Sequence, residues 1–183
     1  WQKAILRYVR GEDDGAGLGE AIRTLAENYP PDVLQSVMNI LSTHDTPRAI
    51  NALLDSRDGD RAELARRHFT PEQLQEGHRR LKLAAFLQFM LPGMPCIYYG
   101  DEAGMTGYRD PFNRAYYPWG REDGNLVSFY QSLARVKKST PALRRGTVLV
   151  LEAGGGRMML LRQYEGKNVA VCCNRSENPW TLP

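Results

Sequence analysis

Cysteine is scarce in this chain: three of 183 residues, at Cys96, Cys172 and Cys173. Adjacent cysteines such as the last two rarely pair, because the bond would strain a single peptide link. An odd count without a Cys-x-x-Cys spacing leaves neither a disulfide framework nor a zinc site. Free thiols suit a reducing, cytoplasmic setting. No apolar run approaches the roughly 20 residues that a membrane span needs. The formal net charge is only +3, and the basic residues form no tract interleaved with aromatics. Membrane and nucleic-acid partners therefore have no support in the composition. No loop is rich enough in oxygen donors to demand calcium, so neither a metal nor a cofactor is expected.

What is present is an ordinary globular composition, long enough for one sizeable core or for one and a half domains. Trp1 opens directly into a helical pattern, with no initiator Met and no signal-peptide layout. The chain closes just past an apolar pair, Trp180 and Leu182. Both ends are expected to be cuts through a longer protein.

Apolar positions spaced by three and four predict helices over residues 1–10 and from Leu18 to Tyr29, where "YPP" ends the second. The run from Ser36 to Thr43 is short, apolar and bounded by punctuation, which predicts a buried strand. A helical piece to Leu54 and a polar loop over 55–69 follow. Thr70-Pro71-Glu72-Gln73 has the form of a capping box with proline at the first helical position, opening a helix that stops at Pro92-Gly93. "PCIYYG" predicts a second buried strand. The next helix places Leu126, Phe129, Tyr130, Leu133 and Val136 on its apolar face. Both strands are too apolar to face water on either side, which implies a parallel sheet with helices outside it, in a barrel or a doubly wound fold. Beyond Pro141 the period changes to short strands joined by "AGGG" and "EGK", an antiparallel meander. The predicted boundary divides the chain into 1–143 and 144–183.

In a parallel barrel, functional groups gather in the loops after the strands. The first such loop carries His44, Asp45 and Arg48. The second carries Asp101 and Glu102, then Asp110 and Arg114, among Tyr98, Tyr99, Tyr108, Tyr116, Tyr117 and Trp119. Aromatic rings beside carboxylates suit a sugar, with its apolar faces and hydroxyl rim. Each feature also has a plain structural reading. A His-Asp pair can be a hydrogen-bonded brace, an acidic pair commonly opens a turn, and tyrosines pack. His68 and His78, in polar helical surroundings, read as surface residues.

"MNILSTHDTPR", followed about fifty residues later by "LPGMPCIYYGDEAGMTGYRDPFNRAYYPW", resembles the α-amylase family of glycoside hydrolases, in its cyclomaltodextrinase, neopullulanase and maltogenic amylase branch. The likeness covers roughly residues 1–145. Many members carry Asn before the histidine, where this chain has Thr43, as the named branch allows. The resemblance implies the C-terminal part of a (β/α)8 barrel, strands 7 and 8 with their helices, followed by the start of an antiparallel β-sandwich. It implies that Asp45 is a catalytic transition-state stabiliser and that His44 binds the same sugar. Arg48 is expected in the substrate-binding set, orienting neighbouring carboxylates.

Retaining glycosidases need a nucleophile and an acid/base carboxylate about 5 Å apart. The family draws them from strands 4 and 5, and no segment here resembles either motif. The resemblance thus implies an α-glucan hydrolase of malto-oligosaccharides, cyclodextrins or pullulan, of which this chain is an inactive portion. A transglycosylase or glucan isomerase of the same family, a non-catalytic companion subunit and a glucan-binding module are the alternatives. An open barrel edge would expose strand donors and acceptors, so self-association is expected.

Overall fold

The computed structural model describes residues 1–55, 57 and 59–181. It opens with α1 (Gln2–Arg10) and α2 (Ala16–Asn28), as the periodicity predicts. Tyr8, Leu18 and Ile22 are fully buried. Asp13 and Asp14, in the acidic break between the two helices, accept the amides of Gly17, Leu18 and Ala16 at the start of α2, where negative charge is favoured.

A short helix not foreseen in the sequence, α3 (Pro31–Ser36), follows. Pro30 ends α2 by keeping Tyr29 extended, and Pro31 opens α3, because proline suits the first helical turn, where no N–H is needed. Only Met38–Ile40 remains as β1. After α4 (Ala49–Leu54), the expected polar loop holds a helix, α5 (Arg61–Arg66), capped by the Asp60 carboxylate on the Glu63 amide. Ser56 and Asp58 of that loop, like Leu182 of the expected terminal apolar pair, lie outside the described residues.

The long helix α6 (Pro71–Met90) begins with the predicted capping box: Thr70 accepts from the Gln73 amide and Gln73 from the Thr70 amide. Its exit is fixed by Gly93, at φ 105°, where a Cβ would sit 2.5 Å from the Val37 carbonyl. Strand β2 (Met94–Cys96) then pairs in parallel with β1, Met38 opposite Met94 and Ile40 opposite Cys96. The β1–α6–β2 unit is a parallel pair with a helical crossover. Gln88 of α6 seats it by donating to the carbonyls of Asn39 and Cys96, while Asn39 donates back to those of Gln88 and Pro92.

The expectation that both strands are buried on every side is corrected. Met38 and Met94 are exposed, and so are Val33, Val37 and Ile97 near them. The parallel pair has α6 on one side, and among the described residues no further strand joins its edges.

A 3-10 turn, η1 (Phe112–Arg114), lies in the long loop after β2 and precedes α7 (Gly124–Ser139). The buried face of α7 is Leu126, Tyr130, Leu133 and Lys137; Val136, expected on that face, is exposed. Spacings of four, three and four carry the stripe to Lys137, and Val136 falls about 100° off it. Lys137 is held by the carbonyls of Phe89 and Leu91 at 2.8 and 3.0 Å, and burial pushes its ammonium down to about 7.

After α8 (Pro141–Arg145), three strands form the predicted meander: β3 (Thr147–Gly154), β4 (Arg157–Tyr164) and β5 (Lys167–Asn174), antiparallel in the order β3-β4-β5. The pairing mode thus becomes antiparallel from β3 onward. The apolar core does not divide there: Tyr8, Leu18 and Ile22 share one cluster with Val148, Met158, Leu160 and Val171. Arg162 of β4, fully buried, ties the two parts by donating to the carbonyls of Met90, Leu143, Gly146 and Thr147. Among the described residues no helix is long and apolar enough to cross a membrane.

Candidate active site

Because β1 and β2 run parallel, the loops after them open on the same side. The first is a tight turn from Thr43 to Thr46. Thr43 Oγ1 accepts the Asp45 amide at 3.1 Å, Thr46 Oγ1 accepts the Thr43 amide at 2.9 Å, and the Thr46 amide reaches the Thr43 carbonyl at 3.3 Å. Hydroxyl side chains that bond backbone two or three residues away stabilise such turns. The turn presents His44 and Asp45 outward, with side chains 64% and 74% exposed and His44 Nε2 3.2 Å from Asp45 Oδ2. Both groups are therefore free to meet a ligand.

Arg48 stands elsewhere than its expected role requires. It is fully buried, with its guanidinium carbon 4.9 and 4.8 Å from the ring centroids of Tyr98 and Tyr99. Its Nη1 donates to the Tyr99 carbonyl at 2.6 Å and lies 3.8 Å from Asp101 Oδ1, an ion pair without a direct hydrogen bond. In this geometry Arg48 faces the Asp101 carboxylate and presents no surface to a sugar.

Asp101 is 3% exposed and accepts a hydrogen bond from the Ser42 hydroxyl, which joins the β2 loop to the β1 loop. Burial raises its carboxyl from 3.8 to about 6, opposed by the Ser42 hydrogen bond and the Arg48 charge. Glu102 is turned back to accept the Gly100 amide at 2.9 Å. Neither matches the free pair of carboxylates that glycoside cleavage by retention needs. Asp110 and Arg114 pair at 2.5 Å on the exposed side of the β2 loop. Tyr116 and Trp119 project into solvent, and the Tyr117 and Trp119 rings lie 4.6 Å apart.

The raised Asp101 carboxyl has a signed consequence. A carboxyl whose folded value lies above its unfolded one stabilises the fold most below about pH 4, and that contribution disappears as pH rises through about 6. Asp101→Asn is expected to remove this component. The difference in unfolding free energy between variant and wild type should change by on the order of 3 kcal/mol between pH 4 and 7. Parallel stability curves from urea titrations across that range would contradict the assignment.

One further residue has no signal in the sequence, and another stands apart from its expected place. Asn113, fully buried in η1, donates from Nδ2 to the His44 and Thr46 carbonyls at 2.9 and 2.8 Å, and to that of Thr43 at 3.3 Å. An Asn between Phe and Arg carries no local signal of that role, since its partners lie about seventy residues away. His78, expected on the surface, is half-buried with Nδ1 3.0 Å from Asp123 Oδ2, the carboxylate that caps α7. Its pairing secures a helix start. Among the described residues, no group of three or more His, Cys, Asp or Glu is placed to hold a metal ion. A groove of about 450 Å³ lies between α2, α3 and β3, lined by Tyr29, Leu34, Gln35 and Val148 among others. It shares no residue with the 42–48 turn.

Residues 16–146, which include both loops, match the family model for the α-amylase catalytic domain. The chain belongs to the α-amylase family. An amylopullulanase of Thermoanaerobacter thermohydrosulfuricus is 39% identical over 148 residues, covering 80% of this chain and 10% of that protein. Neopullulanase 2 of Thermoactinomyces vulgaris is 34% identical over 187 residues, covering 100% of this chain and 28% of its own. Among solved structures, the type III pullulan hydrolase of Thermococcus kodakarensis superposes with a TM-score of 0.80 at 28% identity, over the whole of this chain and 30% of that one. The chain thus spans between a tenth and a third of the length of these α-amylase relatives.

Proposed function

We propose that this chain is the C-terminal portion of the catalytic barrel of a retaining α-glucan hydrolase, with β1 and β2 as barrel strands 7 and 8 and residues 144–183 as the start of a β-sandwich. The parent enzyme cleaves α-1,4 links in malto-oligosaccharides, cyclodextrins or pullulan. The observation that carries this reading is the outward His44–Asp45 pair on a braced turn at the carboxyl end of a parallel strand. Asp45 acts as the fixed negative charge that an oxocarbenium-like transition state gains from, and His44 donates to a sugar hydroxyl at the same place. Arg48 acts from behind, holding the carboxylate and the tyrosines of the second loop in position. The exposed Tyr116 and Trp119 supply apolar faces suited to sugar rings.

The remaining chemistry, a nucleophile and an acid/base carboxylate, belongs to segments of the parent beyond these 183 residues. Full-length protein is accordingly expected to release maltose or glucose from cyclodextrin, while the isolated chain releases none. Through its exposed β1–β2 edge the isolated chain is expected to elute from size exclusion above monomer size. Sugar release by the pure isolated chain would overturn the division of labour. Absence of hydrolysis by the full-length protein, with glucan binding retained, would favour a binding module.

A further inference from the structure

The orientation of the Asn113 amide is decided by its neighbours. Three carbonyl oxygens, of Thr43, His44 and Thr46, lie within 3.3 Å of Nδ2. The reversed amide would set an oxygen against all three. A single side chain thus satisfies the inner carbonyls of the turn whose outer side carries His44 and Asp45. The turn's own side-chain bonds come from Thr43 and Thr46, and all of them lie within the turn. Asn113 supplies the tie to the rest of the protein.

Asn113 is itself held by the second strand's loop. The Tyr98 hydroxyl donates to the Asn113 carbonyl at 3.4 Å, and the Tyr99 hydroxyl to that of Ala115 at 2.8 Å. Both tyrosine rings rest on the Arg48 guanidinium. The loop is closed at Gly107, where a Cβ would lie 2.3 Å from the Phe112 carbonyl, and the Gly107 carbonyl accepts the Arg48 amide at 2.9 Å. A continuous set of contacts therefore runs from the end of β2, through η1, to the backbone beneath Asp45.

We infer that Asn113 is a positioning residue for Asp45, fixing the height and direction of its carboxylate relative to the bound sugar. The inference rests on the role proposed for Asp45. A carboxylate that acts by electrostatic stabilisation needs its place set before the reaction, and a displacement near 1 Å can cost on the order of 10²-fold in rate. Asn113 touches neither substrate nor Asp45's side chain, so its effect passes through the turn.

The test uses the full-length protein with Asn113→Asp, which keeps size but replaces the donor by an acceptor, Asn113→Ser, which keeps one donor, and Asp45→Asn as reference. Asn113→Asp is expected to lower kcat about 10- to 100-fold with KM changed less than about threefold. Amide hydrogen exchange should speed up at residues 43–46 and stay unchanged in α6. Asn113→Ser should fall between variant and wild type in both readouts. Faster exchange at the turn with kcat unchanged would overturn the inference, and so would unchanged exchange. If Asn113→Asp does not fold, the same two criteria applied to Asn113→Ser decide. Full activity in Asp45→Asn would instead remove the reading on which the inference stands.

Discussion

Full-length protein carrying Asp45→Asn is expected to lose on the order of 10²–10³-fold in kcat on cyclodextrin and maltotriose. The amide keeps the size and most of the hydrogen-bonding capacity of the carboxylate but removes its charge. An oxocarbenium-like transition state feels that loss far more than the neutral bound sugar does. KM should therefore move much less than kcat. Stability should hardly change, because the side chain is 74% exposed and substitutions at such positions usually stay within about 0.5 kcal/mol. Steady-state kinetics beside a thermal melt would separate the two effects. Retained kcat would take Asp45 out of the chemistry and leave the His44–Asp45 contact as a brace of the turn.

Arg48→Ala is expected to destabilise the fold by about 3–5 kcal/mol, the usual result of removing one partner of a buried ion pair. Three contacts are lost together. Asp101 is left buried with no cation beside it, the Tyr98 and Tyr99 rings lose the group they pack on, and the Tyr99 carbonyl loses its donor. Arg48→Lys should rescue little, because an ammonium lacks the flat guanidinium that lies against two rings. Combining Arg48→Ala with Asp101→Asn should cost less than the sum of the single changes, since the uncompensated charge is then gone. Denaturant titration of the four proteins measures this directly. Strict additivity would mean that the 3.8 Å pair carries no coupling.

The two predictions divide the site into an outer and an inner part. His44 and Asp45 stand in solvent on a turn of four residues, where a substitution is expected to act on the proposed chemistry with little effect on folding. Arg48, Asp101 and Asn113 are enclosed beneath that turn, where a substitution reaches chemistry only by moving the backbone or costs stability first. Arg48 illustrates why the distinction escaped the sequence. Its position four residues after His44 put it among candidate substrate contacts, yet the chain turns at Thr46-Pro47 and sends it inward, against tyrosines fifty residues later.

Much of the architecture was legible because its causes are local. Thr70, Pro71 and Gln73 state a helix start by themselves, and the structure contains that capping box. The "AGGG" and "EGK" breaks mark the meander, since alternating strands need turns of that kind. Helices α3 and α8 were missed for an equally local reason. Each begins with a proline, Pro31 and Pro141, a residue that marks a helix end in sequence yet also suits the first turn of a helix. The offset between Val136 and Lys137 has a different origin: a lysine carries no apolar signal, whereas the carbonyls at the end of α6 make its burial possible.

By itself, then, the sequence determined the order of the longer helices and the strands, the change from parallel to antiparallel pairing, and a His-Asp turn of α-amylase type. Periodicity, capping and turn chemistry act within a few residues, and the two long motifs are matched as strings. Only the tertiary structure decided that Arg48 lies inside, that Ser42 bonds Asp101, and that Asn113 supports the turn beneath Asp45. Those contacts join residues 51 to 70 positions apart. They exist because α6 carries β2 back alongside β1, and no stretch of chain read alone contains that fact.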